Sequence, residues 1–148
     1  MSEAAPLLAA LERVSETALD HARRLTDGGK RIDDFQVHCE RVAYLATELH
    51  AVRALADYAS AAGKDGDPLA PETATIFAAE VAARARHLVS SHLEDFGFDE
   101  KLLAATLDAP DVRRLVRAGA SEKRVRELGK RVISSGGWNR SWLENEME

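Results

Sequence analysis

From Gly29 to about Ser60 the chain carries one unbroken run of apolar residues at helical spacing: Phe35, Cys39, Val42, Leu45, Ala46, Leu49, Val52 and Ala56. Steps of three and four put them on one face of a helix. The run predicts a helix of about thirty residues, on the order of 45 Å long at 1.5 Å per residue. That is well beyond the average helix of a globular domain, and its apolar face needs neighbours of comparable length. A bundle of long helices meets that need.

The rest of the chain supplies the neighbours. Over residues 6–27, Leu7, Leu8, Leu11, Val14, Ala18, Ala22 and Leu25 form a similar stripe, which Gly28 and Gly29 stop. Asp33 is placed to cap the long helix, with Gln36 as its capping-box partner. A loop over residues 63–70 precedes Pro71, which suits the first turn of a third helix running to about Leu93 and burying Ile76, Phe77, Val81, Ala85, Leu88 and His92. A short helix is expected over residues 100–107, a break at Pro110, another turn or two before Gly119, and a last helix capped by Ser121 and ending near Ile133. With 45% hydrophobic and only 5% aromatic residues, the core is expected to be built mainly from Ala, Leu and Val, which suits closely approaching helices. The expectation is one all-α domain over residues 1–135, an up-down four-helix bundle with a short extra helix, and a C-terminal tail over residues 136–148.

Several function classes fall away. The formal charge of −5 argues against a nucleic-acid surface. The cluster Lys123, Arg124, Arg126, Lys130 and Arg131 reads instead as cations at the negative end of a helix dipole. The lone Cys39 forms no internal disulfide, and neither a long apolar span nor a leader pattern is seen, so a cytoplasmic protein without a membrane segment is expected. A carboxylate-bridged metal pair needs Glu-x-x-His. The residues three before His21, His38, His50, His87 and His92 are Ala18, Phe35, Thr47, Arg84 and Val89, so no metal site is expected. His38 and Cys39 are adjacent and point about 100° apart on a helix, which does not suit a thiolate-imidazole pair.

A sequence resemblance adds to this reading. The entry Gly29-Lys30-Arg31-Ile32-Asp33-Asp34-Phe35-Gln36, with Ala46-Thr47-Glu48-Leu49 ten residues on, resembles the C-terminal helical domain of acyl-CoA dehydrogenases. So do His21-Ala22-Arg23-Arg24-Leu25-Thr26-Asp27-Gly28-Gly29, the segment Phe77-Ala78-Ala79-Glu80-Val81-Ala82, the turn Phe96-Gly97-Phe98, and Gly119-Ala120-Ser121-Glu122. The resemblance implies a flavin dinucleotide site, for which Arg23, Arg24, Lys30, Arg31 and Gln36 are the candidates. It also implies where that chemistry is altered. The family's diphosphate-binding arginine falls on Leu25, with Arg24 one place out of register. Its Gln-x-x-Gly-Gly falls on Ser91 and Glu94-Asp95, and its catalytic base falls on Ala118. Carboxylates beside a diphosphate add like charge. In the family two further domains complete the flavin and acyl-CoA sites, and these 148 residues resemble the C-terminal one alone.

Three roles follow as expectations. The first is a non-catalytic, flavin-free module that self-associates as a homodimer or homotetramer, as the family's domain does in subunit packing. The second is an accessory subunit docking on a complete acyl-CoA dehydrogenase, with Arg23, Arg24, Lys30 and Arg31 as anion contacts. The third is a small ligand-binding bundle using His92, Glu94, Asp95 and Glu122. In the tail, Trp138 and Trp142 are four apart after Gly136-Gly137 and would share a helical face, either clamping back on the bundle or anchoring a partner.

Overall fold

The computed structural model describes residues 4–65 and 67–135. They form six α-helices and no strand: α1 (Ala4–Leu25), α2 (Gln36–Asp65), α3 (Ala70–Ser90), α4 (Glu100–Ala104), α5 (Pro110–Gly119) and α6 (Glu122–Ser134). Two short 3-10 turns, Ile32–Phe35 and Glu94–Phe96, sit before α2 and after α3. The tail over residues 136–148, with Trp138 and Trp142, lies outside the described residues. None of the described helices is long and apolar enough to cross a membrane.

The long helix is present, with 30 residues. It packs against α1 and α3, and its buried line is Val42, Leu45, Leu49 and Val52. Leu7, Leu11, Val14 and Ala18 answer from α1, and Val81, Ala82, Ala85 and Val89 from α3. Two ion pairs fix the antiparallel register. Arg53 on α2 reaches Glu12 on α1 at 2.9 Å, and Arg84 on α3 reaches Glu48 on α2 at 2.7 Å. Both pairs are partly solvated, so they set alignment more than they add stability.

The connections have identifiable causes. After α1 the backbone turns left-handed at Asp27, Gly28 and Gly29, with φ of 50°, 67° and 96°. Thr26, which is buried, organises this turn: its Oγ1 donates to the Ala22 carbonyl at 2.8 Å and accepts from the Gly29 N–H at 3.0 Å. Asp33 differs from the expectation. It lies inside the 3-10 turn instead of capping α2, and its carboxylate accepts from the Gln36 side-chain amide at 3.2 Å. Asp67 holds the start of α3, accepting from the Leu69 N–H at 2.9 Å and the Ala70 N–H at 3.2 Å. Pro71 then occupies the first turn.

The fourth place in the bundle belongs to α5, which packs on α1 and α3. Pro110 opens this helix, and Asp108 ties it down by accepting from Arg86 of α3 at 2.6 Å and from Arg113 at 2.7 Å. Its far end comes so close to α3 that a Cβ on Gly119 would stand 2.5 Å from the Ala79 Cβ. The final helix, α6, starts at Ser121 as expected, the Ser121 hydroxyl accepting from the Arg124 N–H at 3.4 Å. It lies outside the bundle core, on α3, and buries no residue. A sequence as charged as Glu-Lys-Arg-Val-Arg-Glu has too narrow an apolar stripe to take a core position. It is held instead by Arg124 and Arg131, both of which donate to Glu72.

Candidate functional site

Where α1 ends and α2 begins, the two helices diverge and leave an open cavity of about 560 Å³. His21 and Leu25 reach it from α1, and Phe35, Gln36, His38 and Arg41 from the 3-10 turn and the head of α2. The far wall is Glu94 and Asp95. Their position follows from the two residues after them. Phe96 is driven fully into the core, with 0% exposure. Gly97 closes the turn in the left-handed region at φ 71°, and its N–H donates to the Glu94 carbonyl at 3.0 Å. The ring of His21 lies directly against Gly97: a Cβ there would meet the His21 Cβ at 2.8 Å.

His38 is half-buried at this site. Its ring lies 5.9 Å from that of His21 and 6.0 Å from Phe96, and its Nε2 is out of solvent with no hydrogen-bond partner among the described residues. Desolvation holds its pKa below the ordinary value of 6.5. His21 and Arg41 push in the same direction, and Asp95 opposes them. Asp95 is shared, with Arg41 at 3.9 Å and the His92 Nδ1 at 3.6 Å.

The structure gathers some of the residues singled out in the sequence and separates others. Gln36, Glu94, Asp95 and Leu25 line the cavity together. Arg23, Lys30 and Arg31 do not; they are exposed and paired with Asp20, Asp27 and Asp34 at 3.0, 3.2 and 3.0 Å. Arg24 is exposed as well. His92 lies beyond the end of α3, whereas Glu122 opens α6, which is anchored on Glu72 in the first turn of α3, so the two do not meet. Glu122 is paired with Arg126. Ala118 is exposed on the last turn of α5. Among the described residues no three His, Cys, Asp or Glu side chains are grouped to hold a metal ion. Metal spacing and cysteine pairing gave no reason to single out His21 and His38. The available signal was that each falls on its helix's apolar stripe, at Val14, Ala18, His21, Leu25 and at Phe35, His38, Val42, Leu45.

Residues 1–97 match the sequence model of the acyl-CoA dehydrogenase C-terminal domain. The chain belongs to the acyl-CoA dehydrogenase family. No curated protein and no solved structure gives a significant match. The matched segment contains α1, α2, α3 and the turn through Gly97, hence every element that builds the cavity. Helices α4, α5 and α6 lie beyond it.

Family membership implies a flavin dinucleotide, so the cavity wall is the place to test its fit. Asp33, Asp34, Glu94 and Asp95 line it, against one guanidinium, Arg41, already shared with Asp95. Leu25 offers no charge, and the Gln36 amide is engaged by Asp33. A diphosphate placed here meets like charge on both walls. These residues do not fit it.

The orphaned imidazole makes a pH prediction. Because the folded pKa of His38 lies below its unfolded value, its contribution to stability is complete above 6.5. It is lost as the pH falls from there toward the folded value, where the unfolded chain takes up the proton first. Urea unfolding at about pH 7.5 and pH 5.5 should therefore show a loss of stability on acidification that is smaller in His38→Leu. Equal losses in the two proteins would contradict the burial argument.

Proposed function

We propose that this chain is a non-catalytic acyl-CoA dehydrogenase C-terminal-domain module that assembles with copies of itself, as a dimer or tetramer, through the outward side of α2. The observation that carries the reading is on that helix. Val37 and Tyr44, seven residues apart on one face, are 62% and 64% exposed. Ile32, just before the helix, is exposed as well, and Ala51 continues the same line. Large apolar side chains aligned on one long helix suit a partner surface better than solvent does. Tyrosine in particular combines a large apolar ring with a hydroxyl that tolerates a wet rim. The acidic cavity wall and the alkyl side chain of Ala118 support the non-catalytic part, since neither binds a diphosphate or accepts a proton.

The test is sedimentation equilibrium of the wild-type chain and of Val37→Glu/Tyr44→Glu, with circular dichroism as the folding control. Two buried carboxylates in a two-fold interface should weaken assembly by at least about tenfold, at unchanged helicity. A wild-type monomer, or a double variant that assembles as well as wild type, counts against the reading.

A second reading, a small ligand-binding bundle, draws on the cavity and the unpartnered His38 Nε2. A ligand retained through purification and lost in His38→Leu would favour it.

A further inference from the structure

The Glu94–Phe96 turn meets the heads of α1 and α2 through two histidines, and their arrangement has no place for a second proton on His38. Its Nε2 is out of solvent and has no hydrogen-bond partner among the described residues. An imidazolium donates from both ring nitrogens, so charging His38 where it stands leaves a buried N–H without an acceptor. On one side Phe96 offers only a ring, at 6.0 Å; on another is a second imidazole, His21, at 5.9 Å.

Charged groups reach this corner from every element around it. His21 of α1 and Arg41 of α2 oppose a positive charge on His38, and Asp95 favours one. Asp95 is already shared between Arg41 at 3.9 Å and the His92 Nδ1 at 3.6 Å. Glu94, Asp33 and Asp34 line the open side of the cavity, where Asp34 is paired with Arg31 and Asp33 with the Gln36 amide.

The strain of a charged His38 has one way out. His21 is pinned: a Cβ on Gly97 would stand 2.8 Å from the His21 Cβ and 2.9 Å from its Nδ1, so the ring cannot back away from His38 while the turn is in place. Helices α1 and α2 run for 22 and 30 residues on their own internal hydrogen bonds. The turn has three residues, and its bonds are local: the Gly97 N–H donates to the Glu94 carbonyl at 3.0 Å and the Phe98 N–H to the Leu93 carbonyl at 2.9 Å. A short segment held by such bonds opens at lower cost than a long packed helix.

We propose that the turn over residues 94–98 is an acid-released wall of the cavity: protonation of His38 undocks it from the heads of α1 and α2 and carries Glu94 and Asp95 away, while the rest of the bundle stays folded. The device requires neither assembly through α2 nor a bound ligand. Linkage sets its sign and its size. The folded pKa of His38 lies below 6.5, so the closed form is favoured above that pH and loses ground below it. With the ring freed to its ordinary value, the open population at pH 5.5 exceeds that at pH 7.5 by at most about tenfold.

Amide hydrogen exchange of the full chain at about pH 7.5 and pH 5.5, corrected for intrinsic exchange, tests this. Protection of the Phe96, Gly97 and Phe98 N–H groups should fall several-fold in acid, with the midpoint of the His38 ring titration, and should stay constant in His38→Leu. The N–H groups of Thr73 and Ala120, which donate to Leu69 and Val116 at the opposite end of the bundle, should keep their protection in both proteins. Four outcomes overturn the proposal: protection of the three turn amides that is indifferent to pH, a loss unchanged in His38→Leu, a loss shared by Thr73 and Ala120, or a midpoint that departs from the His38 titration. The last is read in the wild type alone and decides the question even if His38→Leu does not fold.

Discussion

Replacing Phe96 by alanine is expected to lower the stability of the chain by about 3–5 kcal/mol, the range for deleting a buried aromatic ring. Among the described residues Phe96 is the largest of the fully buried side chains, and its ring lies 6.0 Å from that of His38. The substitution removes the apolar anchor of the Glu94–Phe96 turn and leaves a hole next to an imidazole already short of a partner. In a chain of this size the loss corresponds to a fall in Tm of about 10 °C or more. The effect should spread to the site: with the anchor gone, Asp95 no longer has a fixed position against Arg41. Thermal unfolding followed at 222 nm checks the first part. A loss below about 1 kcal/mol would mean the turn is not held by the core.

The second large effect is expected at Gly97. Two independent costs meet there. The residue sits at φ 71°, where an L-residue pays about 1–2 kcal/mol, and its Cβ would stand 2.8 Å from that of His21. Overpacking of that kind adds about 1–3 kcal/mol, so Gly97→Val should destabilise by about 3 kcal/mol or more. Gly28 provides the control. It has a similar φ of 67° but open space around the missing Cβ, so Gly28→Ala carries the conformational cost alone. Gly97→Ala should therefore be clearly worse than Gly28→Ala in the same urea titration. Equal losses would show that His21 gives way and that the close approach is not tight.

Much of the fold was legible because its causes are local. The 3.6-residue periodicity of α1, α2 and α3, Pro71 in a first turn, Ser121 as a cap and Gly28-Gly29 as a stop all act within a few residues of themselves, whereas Pro110, read as a break, opens a helix of 10 residues. What sequence could not show depends on distant partners. Asp108 meets Arg86 across 22 residues, and Glu72 meets Arg131 across 59. The same limit holds for the fourth bundle position: the charge of α6 argues against it in the sequence, but the close approach of Gly119 to Ala79 that seats α5 there joins residues 40 apart. For the cavity, the family resemblance located Leu25, Gln36, Glu94 and Asp95 one at a time, but their shared wall and the His21–His38 contact appear only in three dimensions.

The central claim, a flavin-free self-associating module, is tested most directly by a native mass spectrum of the freshly purified full chain. The account predicts one dominant species at two or four times 16.2 kDa, with no mass added for a flavin dinucleotide. A monomer, or a multimer that carries the flavin, would contradict it.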